Sequence, residues 1–278
     1  MPGSALAQVA RWSASNPAAG VTDATATLGE TGDINRRHQW ASVTKLVTAL
    51  CVLRLIDAGV VALDEPAGPP GSTVRHLLAH ASGLGFDESG VLAKPERRRV
   101  YSNVGYDLLG AMVSERTGMP FGSYAAEAVF TPLAMANTSI EGTPAAGAVG
   151  PLVDLLRFAR ELLAPSLVAP ATLALATAVA FPGLDGVLPG FGRCTPNDWG
   201  LGFELRDGKQ PHWTGRHNSA STFGHFGQAG SFLWIDPALS LGCVALADTA
   251  FGPWAIEAWP AFSDAVIAEY GVARRPSS

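Results

Sequence analysis

Apolar residues crowd this chain in two different patterns. Along 42–58 they fall on nearly every side of a helix, at Val43, Leu46, Val47, Leu50, Val52, Leu53, Leu55 and Ile56, and Gly59 follows. A run of that length closed by glycine predicts a buried helix. Residues 104–117 predict a second helix, ended by Gly118 and Pro120, and 124–130 and 152–163 two more. A short helix is expected at 5–13 and another around 74–79, inside a loop-rich stretch from 64 to 100. Shorter apolar runs at 199–205, 231–235 and 241–247 predict strands, with Asp236-Pro237 turning between the last two. Residues 20–40 read as strands with turns at 29–33, and 254–270 as a helix bent at Pro260. The run 167–181 contains Pro170 and is too short to span a bilayer. No unit repeats along the chain. Strands at both ends with helices between them predict an α+β fold. One sheet domain would form from 1–60 and 195–278, with a mainly helical domain, 61–194, inserted.

Composition narrows this picture. Charged residues are 15% and hydrophobic residues 47% of the 278 positions, the reverse of what disorder requires. Net charge is −5, and the only dense basic run is Arg97, Arg98 and Arg99. No nucleic-acid partner is expected from that. The first residues show no charged segment leading into an apolar one, so no export signal and no membrane association are expected. The three cysteines, Cys51, Cys194 and Cys243, are widely spaced and fit a reducing compartment. A cytoplasmic protein is the expectation. Only three lysines occur, Lys45, Lys94 and Lys209. Lysine, unlike arginine, can lose its proton when desolvated, and Lys45 is the one in an apolar setting.

Candidate chemistry lies at three places. Ser42-Val43-Thr44-Lys45 opens the buried helix, and residues three apart share a face, so hydroxyl and amine can meet. Ser42 could simply cap the helix. A capping serine, however, is best complemented by Glu or Gln three positions on, and Lys45 stands there, beside the positive end of the helix dipole. Burial and the dipole both depress an amine pKa, which favours a neutral base beside a hydroxyl. Tyr101-Ser102-Asn103 precedes the helix at 104–117. It is either a loop tyrosine with Asn103 as N-cap, or a proton-relaying phenol with an amide that binds a substrate carbonyl. His225-Phe226-Gly227 lies in a glycine-rich stretch before a strand. It is either an ordinary strand entry, or a place where Gly227 lets a ligand approach and the next N–H completes an oxyanion pair. The ordered trio arises by chance on the order of twice in a thousand chains of this composition.

The three boxes make the sequence resemble the serine β-lactamases and penicillin-binding proteins. The branch is that of class C β-lactamases, D,D-carboxypeptidases, D-aminopeptidases and related esterases. HLLAHASGLG at 76–85, YSNVGYDLLGAMVSERTG at 101–118, PLAMANTS at 132–139, WGLGFEL at 199–205 and GHFGQAGS at 224–231 agree. The resemblance implies a helical domain docked on an antiparallel sheet, with the active site in the cleft between them. It implies Ser42 as nucleophile, Lys45 as its base or proton partner, and Tyr101 as base and later acid to the leaving group. Asn103 would hold a substrate carbonyl, His225 and Gly227 would line the strand edge, and the N–H groups of Ser42 and Gln228 would form the oxyanion hole. No cofactor is implied, and the partner would be a small acyl substrate: an ester, an amide or a β-lactam.

Departures from the family pattern matter too. His225 stands where most β-lactamases have lysine, which favours peptidase and esterase members. Neither Ser-Asp-Asn nor Lys-Thr-Gly occurs, so a class A enzyme is not expected. Two other readings remain: a non-catalytic relative that binds or senses, and metal-assisted hydrolysis through His76 and His80. The second lacks a glutamate at position 77 and an evident third ligand.

Overall fold

The structure, a computed structural model, describes residues 4–87 and 90–271. The outer ends of the two segments expected to share the sheet, 1–3 and 272–278, therefore lie outside the described residues. A 3₁₀ turn (Ala5–Arg11) leads into β1 (Ala18–Thr22) and β2 (Thr27–Thr31), and β3 (His38–Gln39) precedes α1 (Thr44–Asp57). Then come α2 (Val74–Leu78), α3 (Asn103–Thr117), α4 (Phe121–Ala125), β4 (Ser139–Ile140), β5 (Ala148–Gly150), α5 (Leu152–Leu163) and α6 (Pro170–Ala176). The last third holds β6 (Gly186–Leu188), β7 (Gly192–Cys194), β8 (Glu204–Leu205), β9 (Phe223–Gly227), β10 (Ser231–Asp236), β11 (Leu241–Leu246) and α7 (Pro253–Val266).

The main sheet runs β2-β1-β11-β10-β9-β8, and each neighbouring pair is antiparallel. The fold is thus α+β, with strands from both parts of the chain in one sheet. β10 reads Ser-Phe-Leu-Trp-Ile-Asp without polar alternation because all six residues are buried. Successive side chains leave opposite faces of a strand, and here both faces are covered. Leu233 and Ile235 join the core that contains α1, α3 and α5. Phe232 and Trp234 join a second core with Trp259, Phe262 and Val266 of α7. α5 lies against β1, β10 and β11.

Several expectations need correcting. The first turn falls at 23–26, where Asp23 Oδ1 accepts from the N–H groups of Thr25 (2.7 Å) and Ala26 (2.8 Å), and Gly29 sits inside β2. Of the strand expected over 199–205 only Glu204 and Leu205 are extended in the sheet. His225 and Gly227 do precede the expected strand, β10, but they also form a strand of their own, β9, which pairs with it. Ser42 does not open α1 as a cap. It lies in a 3₁₀ turn, Ala41–Val43, and no side chain caps either the turn or the helix. Asn103 is the first residue of α3, and the cap is Ser102, whose Oγ accepts from the Gly105 N–H at 3.1 Å. Both candidate residues are consequently free of capping duty.

Candidate active site

α1 and β9 bring the first and third boxes together. The hydroxyl of Ser231 donates to the Trp40 carbonyl at 2.7 Å, which ties the start of β10 to the segment just before Ser42. Gly227 makes this approach possible, since a Cβ there would stand 2.4 Å from the Trp40 oxygen and 2.5 Å from Ser231 Oγ. Gly227→Ala is therefore expected to destabilise the protein by about 1–3 kcal/mol through overpacking, read as a lowered midpoint in denaturant unfolding. An unchanged midpoint would mean that the two segments separate freely. Ala41, just before Ser42, has φ +43°, a left-handed conformation that is strained for a residue with a Cβ.

Lys45 is fully enclosed, with its Nζ 3.4 Å from Ser42 Oγ. The same nitrogen donates to Asn103 Oδ1 at 2.6 Å and to the Ala145 carbonyl at 2.9 Å. Burial lowers its pKa to about 7, against the opposing pull of Asp107 and Asp87. A neutral amine has two N–H donors and one lone pair. Its donors are matched by the two carbonyl oxygens, and the lone pair is left for the Ser42 hydroxyl. Asn103 is held from its other end, where its Nδ2 donates to Asp87 Oδ1 at 2.7 Å. That carboxylate fixes the amide so that its oxygen faces the lysine.

Tyr101 lies across from Ser42, with Lys45 Nζ 4.8 Å from its ring centre. Its hydroxyl is 3.3 Å from His225 Nε2. The other ring nitrogen of His225 lies 2.6 Å from the Phe226 carbonyl, an acceptor only, so Nδ1 carries the proton and Nε2 accepts from the phenol. Burial and the charge of Lys45 push His225 down to about 3, outweighing the Phe226 carbonyl and Glu204, so the imidazole is neutral. Burial raises the Tyr101 phenol well above its ordinary value, with Asp87 adding to the rise and a hydrogen bond with Ser42 opposing it. The phenol thus holds its proton throughout the neutral range.

Ser42, Tyr101, His225 and Gln228 all line one cavity of about 240 Å³, together with Phe86, Leu188, Pro189, Trp199, Glu204 and Phe226. Lys45 and Asn103 stand behind Ser42, and Gly227 abuts residues 40 and 41. The structure therefore brings all seven sequence-predicted residues to one place. His76 and His80 go elsewhere. His76 bonds Thr73 and Glu96, while His80 accepts from the Ser102 N–H at 3.1 Å and lies under the Tyr101 ring, 4.5 Å between ring centres. His80 therefore holds the loop that carries Tyr101.

Sequence reasoning missed Asp87, the Ala145 carbonyl and Glu204. Neither an isolated loop aspartate nor a backbone carbonyl leaves a signal. Glu204 does leave one, being a lone carboxylate in the apolar run WGLGFEL. It is buried and accepts from Lys209 (2.5 Å), His212 (2.9 Å) and Trp213 (2.9 Å). Burial alone would raise its pKa, but His212 and Lys209 together hold it at about 2.

This frame is that of a class defined by known proteins. The family model described as Beta-lactamase matches residues 5–263, and the chain belongs to that family. A crystal structure of a beta-lactamase from Mycobacterium bovis is 50% identical, with a TM-score of 0.95, covering 96% of this chain and 100% of that one. The D-alanyl-D-alanine-carboxypeptidase/endopeptidase AmpH of Escherichia coli K12 is 26% identical over 141 residues, 37% of this chain and 37% of its own. Esterase EstB of Burkholderia gladioli is 30% identical over 141 residues, 34% of this chain and 36% of its own. The chain thus spans just over a third of the length of these curated relatives. Family model and solved structure together show the beta-lactamase fold. No helix among the described residues is long and apolar enough to cross a membrane.

Proposed function

We propose that the protein is a serine hydrolase that cleaves an ester, amide or β-lactam carbonyl through an acyl-enzyme on Ser42. The observation that carries this reading is the setting of Lys45. It is a buried amine with both donors matched by carbonyl oxygens, a pKa of about 7, and a free lone pair beside the Ser42 hydroxyl. Lys45 takes the Ser42 proton as Oγ attacks the carbonyl carbon. The N–H groups of Ser42 and Gln228 face the oxyanion that forms. When the tetrahedral adduct collapses, the bond to the leaving group breaks and the proton returns through Tyr101 to the departing oxygen or nitrogen. Water then attacks the acyl-enzyme with the same groups acting in reverse, which yields the free acid and restores Ser42.

This reading divides the roles more sharply than the sequence does. Tyr101 acts as the acid and relay, because its phenol keeps its proton, and Lys45 is the first base. Asn103, with both ends engaged, orients Lys45. His225 accepts from the phenol and aims it. The positions on which covalent chemistry depends are all filled, the opposite of what an inert binding relative would show. Incubation with a fluorophosphonate probe followed by peptide mass spectrometry tests the proposal: one adduct is expected, on Ser42. A protein that stays unlabelled, or is labelled elsewhere, would overturn it.

A further inference from the structure

The Ala145 carbonyl that receives Lys45 belongs to a segment, 144–148, that α1 and α3 grip from two sides. From α1, Thr48 donates to the Pro144 carbonyl at 2.6 Å and Lys45 to the Ala145 carbonyl at 2.9 Å. Thr44 Oγ1 accepts from the Ala148 N–H at 2.9 Å. From α3, Asp107 Oδ1 accepts from the Ala145 N–H at 3.1 Å. Nearly one turn further on, Gly110 leaves room for Pro144, since a Cβ there would overlap the proline ring. Asn103, Asp107 and Gly110 follow one another at helical spacing, so they share one face of α3. That face offers Lys45 an amide oxygen, the Ala145 peptide a carboxylate, and Pro144 bare backbone.

The same carboxylate also acts through its charge. Of the titratable groups that face the Lys45 amine, burial keeps the Tyr101 and Tyr106 phenols protonated and the His80 and His225 rings neutral. Asp107 and Asp87 are the charges that favour a proton on the amine, and Asp107 acts the more strongly. Asp87 is exposed in a loop, whereas Asp107 is partly buried on a helix. An enclosed amine with no anion near it would be too weak a base to draw a proton from serine efficiently. Resting on the acyl-enzyme reading, we propose that Asp107 is a positioning residue for the first proton transfer. It holds the Ala145 peptide against Lys45 and supplies the negative charge that keeps the amine a competent base. Its action on Ser42 runs entirely through those two groups.

The rate of fluorophosphonate labelling at Ser42, followed against pH, tests this without a known substrate. Asp107→Asn keeps an oxygen for the Ala145 N–H and removes the charge. Its rising limb is expected at least about half a pH unit below the parent's, because losing the anion favours the neutral amine, and its plateau within about tenfold of the parent's. Asp107→Ala also releases the peptide, and its plateau is expected at least about tenfold below that of the asparagine variant. Glu115→Gln removes an equal charge from an exposed position just over two turns along α3, and leaves the limb where it was. With Ser42 labelled in the parent, an unmoved limb in Asp107→Asn overturns the role of Asp107 and leaves the acyl-enzyme reading standing. So does an equal shift in Glu115→Gln, which would reflect overall charge alone, or an alanine plateau as high as the asparagine one. The asparagine variant decides the matter by itself where the alanine variant does not fold. A parent protein that takes no label at Ser42 overturns both proposals.

Discussion

Ser42→Ala is expected to lower kcat/KM for any ester substrate by at least about a thousand-fold, with labelling by fluorophosphonate lost altogether. What remains would come from binding and the N–H pair, which speed attack by water but provide no covalent route. Folding should hardly notice the change. The Ser42 hydroxyl caps no helix, and its contact with Lys45 is long, at 3.4 Å. The unfolding free energy is therefore expected to stay within about 1 kcal/mol of the parent. A large loss of activity together with a large loss of stability would instead mark Ser42 as structural. Activity above a few per cent of the parent would rule out a covalent intermediate at this position.

What could be read from sequence depended on how local the deciding interactions were. α5 was readable over its full span, 152–163, because its apolar stripe repeats at helical spacing along a single side. The Ser42–Lys45 pair was readable because three residues along a helical turn bring two side chains together whatever the tertiary fold. The capping assignments were less readable. Ser102 and Asn103 are adjacent and both favoured at N-caps, so only geometry separates them, and it selects Ser102. β9 escaped because its glycines resemble a turn, whereas they are there to let Trp40 and Leu233 approach, as a Cβ on Gly224 would lie 2.0 Å from the Leu233 oxygen. The partners of Lys45 could not be read at all. One is a carbonyl 100 residues away, and Asp87, which holds the other, sits in a loop without pattern. The site's residue types were thus visible, and its proton inventory was not.

That inventory sets the pH dependence. With Lys45 as base and a pKa of about 7, kcat/KM for a neutral ester is expected to rise about tenfold per pH unit below neutrality and to level off just above it. The plateau should extend well into the alkaline range, since the Tyr101 phenol keeps the proton it must deliver. Lys45→Arg is expected to fall below about 1% of parent activity at every pH, because a guanidinium stays charged and offers no lone pair. Stability follows the same group with a definite sign. Unfolded, the amine regains its ordinary value of 10.5, so between about 7 and 10.5 the unfolded chain holds a proton that the folded one has released. This group's contribution to stability therefore rises with pH across that window, and the full cost of enclosing a charged amine is felt below it. A pH profile flat from 5 to 9, or an arginine variant that still turns over substrate, would give the first proton transfer to another group. The neutral His225 could not replace Lys45 with the same profile, because its own value near 3 would shift the rising limb four units towards acid.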